Sequence, residues 1–292
     1  MNGFIKVNPW IYHLPPPVPE FGAGVTLVIG VNNFLIDCGA FDYSVSKFLI
    51  PALKAIKYDL KDIDYLLLTH THPDNIGGIH KLKQLAPHIR IMTYGYQTDR
   101  LKNPSYYLLN AWSEFPDYAP PFRELKGILA DGTVDPANRV FSDLRPIVSS
   151  GHTVDCVSWH HVKSNTLICG DAVQGAGTDE TGVAFFTSLE LYRNTLSDII
   201  ELAPENLLPG RDFRSAPSIV HGQENSVSVL EDSFKFTVEY SAFIEKYARY
   251  ARRKKEMLDV AEVAKAYYEG RKEPQFLGYT MQTFSLYLKG KK

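Results

Sequence analysis

Short apolar runs punctuated by glycine, proline and asparagine dominate the N-terminal part of the chain, and they predict strands. Residues 4–13 read as the first. The stretch from Pro15 to Pro19 and the Gly22-Ala23-Gly24 hinge after it form a loop, because proline fixes φ and removes donors. The run VTLVIGVNNFLIDCGA then predicts a β-hairpin turning between Gly30 and Asn33, its second strand ending in Asp37-Cys38-Gly39. From Tyr43 to Ile56 the period changes. Val45, Phe48, Leu49 and Leu53 fall at helical spacing, with Ser44 or Ser46 near the start and Pro51 as a kink or restart. The apolar run Tyr65–Leu68 predicts a buried strand, residues 75–86 a helix, and Ile89–Thr93 another strand. Strand, helix, strand in that order argues for an α/β domain.

Residues 94–145 break the pattern. They are rich in Tyr, Pro and Phe and read as an insertion of irregular structure with a short helix, either a lid, an association surface or an aromatic satellite core under a long loop. Regularity returns with strands at Leu144–Ser149, Val157–Val162 and Thr166–Asp171, the last two joined by a turn at Lys163-Ser164-Asn165. A Gly-rich loop, GAGTDETG, precedes a helix over Ser188–Ala203 and a short strand over Asn206–Arg211. The remainder is mainly helical, at Ser228–Lys254 and Asp259–Tyr268, with Leu277–Leu288 as a last strand. The basic run Arg252-Arg253-Lys254-Lys255 reads as a solvated helix end.

Composition adds exclusions. Lys plus Arg total 31 against 33 for Asp plus Glu, so no net field recommends nucleic acid or an anionic membrane as a partner. The N-terminus lacks the basic start and apolar core of a secretory signal, and no run approaches a bilayer span, so the cytoplasm is the expected location. Cys38, Cys156 and Cys169, an odd number in mostly apolar sequence, are expected to be buried free thiols.

The chemistry concentrates where the strand Tyr65–Leu68 runs out into Thr69-His70-Thr71-His72-Pro73-Asp74-Asn75-Ile76-Gly77-Gly78. Two histidines and a carboxylate within five residues at a strand end suit a metal, and neutral imidazole with carboxylate suits Zn, Fe or Mn. His152 begins, and Asp171 ends, a pair of strands joined by a tight turn. In an antiparallel pair those ends are neighbours. His160 and His161 lie mid-strand and read as packing or solvent residues.

His70-x-His72-x-Asp74, Gly-His152-Thr, Gly170-Asp171, Leu-Pro-Gly at 208–210 and Leu35-Ile36-Asp37-Cys38-Gly39 together resemble the metallo-β-lactamase superfamily over roughly residues 4–215. The resemblance implies a four-layer αββα sandwich with the metal site at one edge between two sheets. Residues 1–225 would form that domain, and 226–292 a mainly helical extension packed on it. It also implies that His70, His72 and His152 hold the first metal, that Asp171 is the carboxylate which bridges two metals in the family, and that Asp74 orients or deprotonates the nucleophilic water.

Two positions depart from the family pattern. Asn75 stands where a histidine is common, and Arg211 replaces the histidine of a final Pro-Gly-His motif. Asparagine is a poor ligand for zinc and guanidinium is none. Asp74 and Asp171 without a second dication would repel each other. Arg211, projecting where the histidine would, supplies a fixed positive charge able to bond either carboxylate. The expectation is therefore one divalent metal per chain, zinc first and iron or manganese as alternatives, in a hydrolase that turns a metal-activated water on an ester, lactone, thioester or related bond of a small molecule.

Two other readings stand beside this one: a mononuclear-iron oxidoreductase of the persulfide dioxygenase type using His70, His152 and Asp171, and a non-catalytic binding protein on the same fold. His221 is a further candidate ligand, while His13 and His80 read as structural. The loop Pro15–Gly24 and residues 104–122, with Tyr106, Tyr107, Trp112 and Tyr118, are the expected pocket walls. The 94–145 insertion also offers a surface for a homodimer.

Overall fold

Successive residues of one strand go to different cores, and that alternation dictates the layers. Leu35, Leu66 and Leu68 pack with the helical residues Val45, Leu49, Leu53, Ile79 and Leu82. Their strand neighbours Phe34, Ile36 and Leu67 instead meet Trp159, Ile168 and Leu208 of a second sheet. Leu167, Cys169 and Leu207 on that sheet's outer side pack with Tyr192, Leu196, Leu230, Tyr240 and Phe284 of another set of helices. Three apolar layers between four layers of backbone define an αββα sandwich.

The computed structural model describes residues 3–16, 22–119, 124–134, 141, 143–254 and 257–290. Among them the strands are β1 (Ile5–Lys6), β2 (Ile11–Leu14), β3 (Val25–Val28), β4 (Phe34–Ile36), β5 (Tyr65–Leu67), β6 (Arg90–Thr93), β7 (Gly132–Thr133), β8 (Leu144–Val148), β9 (Val157–His161), β10 (Thr166–Gly170), β11 (Asn206–Pro209) and β12 (Val220–His221). The first sheet runs β1 to β7 in sequence order, and the second runs β12-β11-β10-β9-β8. β4, β5, β6 and β7 are mutually parallel, as are β10 and β11; the remaining neighbours are antiparallel. The helices are α1 (Ile50–Ala55), α2 (Pro73–Ile76), α3 (Ile79–Leu85), α4 (Gln97–Lys102), α5 (Pro104–Ala111), α6 (Leu189–Leu202), α7 (Gln223–Lys254), α8 (Val260–Tyr267) and α9 (Leu277–Lys289).

Several elements differ from expectation for local reasons. Residues 4–13 are two short strands folded on each other, Ile5 opposite His13, because the chain reverses where Asn8 Oδ1 accepts from the Trp10 amide beside Pro9. The helix expected over 75–86 is two helices, broken at Gly77 and Gly78, which press against the backbone of Ala40 and Cys38. Leu277–Leu288 is not a strand but the helix α9. Its apolar residues Leu277, Met281, Phe284 and Leu288 recur at helical, not alternating, spacing and join the outer core. The 94–145 insertion carries more helix than expected, in α4 and α5. All three cysteines are buried and free. Among the described residues no helix is long and apolar enough to cross a membrane.

Candidate metal centre

The sequence Thr69-His70-Thr71-His72 carries the chain from the end of β5 to the start of α2. Both threonines are tied to buried carboxylates. Asp37 accepts from the Thr69 amide at 2.8 Å and its hydroxyl at 2.7 Å, and Asp155 accepts from the Thr71 amide at 2.9 Å and its hydroxyl at 2.7 Å. Asp37 keeps a left-handed φ of 62° to do so, a strain that its two bonds offset. The insertion braces the same loop. Gln97 Nε2 donates to the carbonyls of Leu68, Thr69 and Asp155, and Arg100 lies 3.4 Å from Asp155.

The second sheet supplies the rest. Val157 at the start of β9 donates to the Thr69 carbonyl at 2.8 Å, which seats His152 beside the histidine loop. Antiparallel pairing puts the end of β10, and so Asp171, next to the start of β9. Gly170 takes φ 52° with Thr69 Oγ1 only 2.5 Å from where a Cβ would be, so the two sheets close up at this point. Parallel pairing of β10 with β11 sets Arg211 alongside Asp171.

The ligating atoms of His70, His72 and His152 lie within 4.8 Å of one another. His70 Nε2 is 3.2 Å and His152 Nε2 3.0 Å from His72 Nδ1. Hydrogen bonds at the far nitrogens orient two of the rings. His152 Nδ1 donates to the Phe185 carbonyl at 2.8 Å, and His70 Nδ1 to the Thr69 hydroxyl oxygen at 3.1 Å, so both Nε2 lone pairs point inward. Burial, and next the neighbouring imidazole of His152, drives the His70 pKa down to about 3, while burial and the other two rings hold His72 well below its usual value. Neutral imidazoles are the form a metal needs. Asp171 stands 3.8 Å from His152, and its Oδ1 is buried without a hydrogen-bond partner among the described residues. Three inward-facing imidazole nitrogens and an unpartnered carboxylate oxygen fit a four-coordinate divalent metal.

The other half of the site is a charge pair. Arg211 Nη2 bonds Asp74 Oδ2 and reaches Asp171 Oδ2 at 3.2 Å. Burial acts to raise the Asp74 pKa, but Arg211, followed by His70 and His72, more than reverses this and holds the carboxyl below the ordinary carboxylate range. The same carboxylates raise Arg211 above its usual value against its own burial. Asn75 is buried between the halves, its amide 3.1 Å from His70 Nε2 and 3.3 Å from Asp74 Oδ1.

His72, Asp74, His152, Asp171 and Arg211 line a cavity of about 710 Å³ that also takes in Tyr107, Trp112, Phe185, Tyr279 and Leu286. Of the expected walls, Tyr107 and Trp112 reach it, whereas Tyr106 and Tyr118 are exposed and do not. Pro17–Phe21, Pro120 and the adjoining residues of those walls lie outside the described residues. His221 is not brought to the site. It pairs with Asn206 at the start of β11, the end remote from Arg211, and bonds the Asn206 side chain at 2.8 Å. His13 bonds Thr26 and His80 the Lys126 carbonyl. Gln97, Asp155, Gln174 and Tyr279 take part without having been singled out in the sequence. Asp155 follows His152 by three residues in a turn of mixed polarity that does not set it apart.

The fold, the paired histidines at a strand end and the third histidine from the opposite sheet define a class. The chain belongs to the metallo-beta-lactamase superfamily, whose family model matches residues 21–211. It is 27% identical over 190 residues to the "Beta-lactamase-like protein 2 homolog" of Drosophila melanogaster, covering 62% of this chain and 55% of that protein. It is 25% identical over 137 residues to a "Hydroxyacylglutathione hydrolase" of Francisella philomiragia, covering 47% of this chain and 44% of that protein. The chain thus spans about half the length of the curated relatives it matches. Among solved structures, a metallo-beta-lactamase family protein from Thermus thermophilus superposes with a TM-score of 0.72 at 15% identity, covering 98% of this chain and 95% of that one.

Proposed function

We propose that the chain is a metal-dependent hydrolase acting on an ester, lactone, thioester or related bond of a small molecule, with one metal ion per chain. The observation that carries the reading is the inward convergence of His70, His72 and His152 beside an Arg211 that pairs with both Asp74 and Asp171. His70, His72, His152 and Asp171 would hold the metal, zinc by preference from a donor set of three nitrogens and one oxygen. A divalent metal held there would lower the pKa of water to about 7 and would polarise a carbonyl oxygen. Asp74, kept ionised by Arg211, accepts the proton that the attacking water gives up. Arg211 stands in for the second metal, holding both carboxylates and offering a cation to charge that develops on the substrate. Residues 1–225 form the metal-binding domain in this reading, and 226–292 roof its cavity through α9. The similarity to a hydroxyacylglutathione hydrolase supports hydrolysis as the reaction class.

Elemental analysis of protein purified without added metal, followed by a lactone, ester and thioester panel, tests the proposal. About one zinc per chain with hydrolytic turnover is expected. One iron with oxygen uptake would instead indicate the dioxygenase chemistry, and no metal a binding protein. The Asn75→His/Arg211→His double variant tests the arginine argument, since it restores two imidazoles to the second half. Metal content is expected to rise from about one to about two per chain, and no rise would count against Arg211 as the surrogate.

A further inference from the structure

The cavity over the histidines is closed on its far side by α9, which brings in a polar group that the reaction described so far leaves idle. Tyr279 lines the cavity together with His72, Asp74, His152 and Arg211. Its ring meets Phe185 edge to face at 5.6 Å and Trp112 at 4.9 Å, and Phe185 in turn packs on His152 at 5.5 Å. Gly278, the residue before it, has room for nothing larger: a Cβ there would come within 2.3 Å of the Tyr118 carbonyl oxygen. The ring is therefore positioned by packing alone, and its hydroxyl has no hydrogen-bond partner among the described residues. Burial, and then the Asp74 carboxylate, raise its pKa above the ordinary tyrosine value, with Arg211 opposing. At neutral pH the group keeps its proton and is a donor.

A donor held beside a hydrolytic centre matters unequally to different leaving groups. A thiolate, whose conjugate acid has a pKa of about 8.5, departs without help, whereas an alkoxide is a far stronger base and needs a proton as it leaves. We infer that Tyr279 contacts the substrate, its O–H donating to the leaving-group oxygen, and that the substrate is an oxygen ester or lactone whose apolar part lies against Trp112, Tyr107 and Leu286. This rests on the hydrolase reading above. In the step, the oxygen of the attacking water bonds to the carbonyl carbon, the single bond from that carbon to the leaving-group oxygen breaks, and its electron pair stays on the departing oxygen. That oxygen takes the phenol proton. The phenolate recovers one from the proton that Asp74 accepted from the attacking water. The net change is ester plus water to acid plus alcohol.

The test compares Tyr279→Phe with the wild type on an oxyester and a thioester that share one aromatic acyl group, and on a series of oxyesters of graded leaving-group pKa. Metal content is measured on both proteins. The expected result is a fall of about 10²-fold in kcat on the oxyester, with the thioester changed by less than about threefold. Metal content should be equal, and the dependence of rate on leaving-group pKa steeper in the variant. An equal loss on both substrates, a lowered metal content or an unchanged slope would make Tyr279 a packing residue and overturn the inference. So would no loss on either. A wild-type protein that carries its metal yet hydrolyses neither substrate would overturn the hydrolase reading itself, and this inference with it.

Discussion

The two halves of the site occupy one cavity floor and solve one electrostatic problem differently. On one side, the ligating nitrogens of His70, His72 and His152 converge within 4.8 Å of one another, with burial lowering the pKa of His70 and of His72. On the other, the positive charge is already built in: Arg211 bonds Asp74 and Asp171 and keeps Asp74 ionised. In the proposed reading the first half awaits a cation from outside. The second is complete as folded. The difference teaches that a pair of buried carboxylates needs a cation, but the cation need not be a metal.

The largest effect should come from the first half. His152→Ala removes one donor of three and the ring that Phe185 orients, so bound metal should be lost and kcat/KM should fall about 10³-fold or more, on the order of 4 kcal/mol. His221→Ala, at the remote end of β11, should leave both unchanged. Equal behaviour of the two variants in metal and rate measurements would break the assignment of the first half. For the second half, Arg211→Met leaves the buried Asp171 and the half-buried Asp74 without their cation. Urea unfolding of the metal-free protein should register a loss of about 3–5 kcal/mol, and Asp74→Asn in the same chain should recover part of it. A loss below about 1 kcal/mol would mean that water, not Arg211, balances the carboxylates.

The halves were also unequally legible in the sequence. His70, His72 and Asp74 share one strand end and can be read from spacing, while His152 and Asp171 become neighbours only through antiparallel pairing of β9 with β10. The identity of Arg211 as the partner of both carboxylates followed from charge balance, because two buried anions at that position call for a fixed cation. Asp155, Gln97 and Tyr279 stayed hidden for a physical reason. Each acts across the fold, from sequence separations of 28 to 84 in the first two cases, and leaves no local period. Tyr279 was obscured further by the expectation of a strand over Leu277–Leu288, where the helical recurrence of Leu277, Met281, Phe284 and Leu288 is interrupted by Thr280, Thr283 and Ser285, polar yet buried. An α/β domain was readable from the order of strands and helices and the four layers only through the family resemblance, whereas the reversal at Asn8–Pro9 and the break at Gly77–Gly78 depend on contacts with distant backbone.

The smallest of the predicted effects separates the halves by pH. In the metal-free protein, burial lowers the His70 pKa to about 3 from an ordinary 6.5. Between those values the unfolded chain binds a proton that the folded chain does not, so stability is present above pH 6.5 and is lost as pH falls toward 3. One such imidazole contributes a slope of about 1.4 kcal/mol per pH unit. Asp37 acts in the opposite sense: burial raises its pKa from 3.8 to about 8, so its contribution declines as pH rises through that window. Asp74, lowered, retains its contribution until the pH falls below the ordinary carboxylate range. The wild-type profile sums these terms, so the difference between wild type and His70→Asn isolates the imidazole. Urea unfolding at about pH 7, 6 and 5 should show the wild type losing stability faster than the variant on acidification, by about 2 kcal/mol in total at the lowest pH. Parallel profiles would mean that His70 protonates within the folded state, and the first half would then be an open, hydrated cleft in place of a dry cradle that excludes protons until a metal arrives.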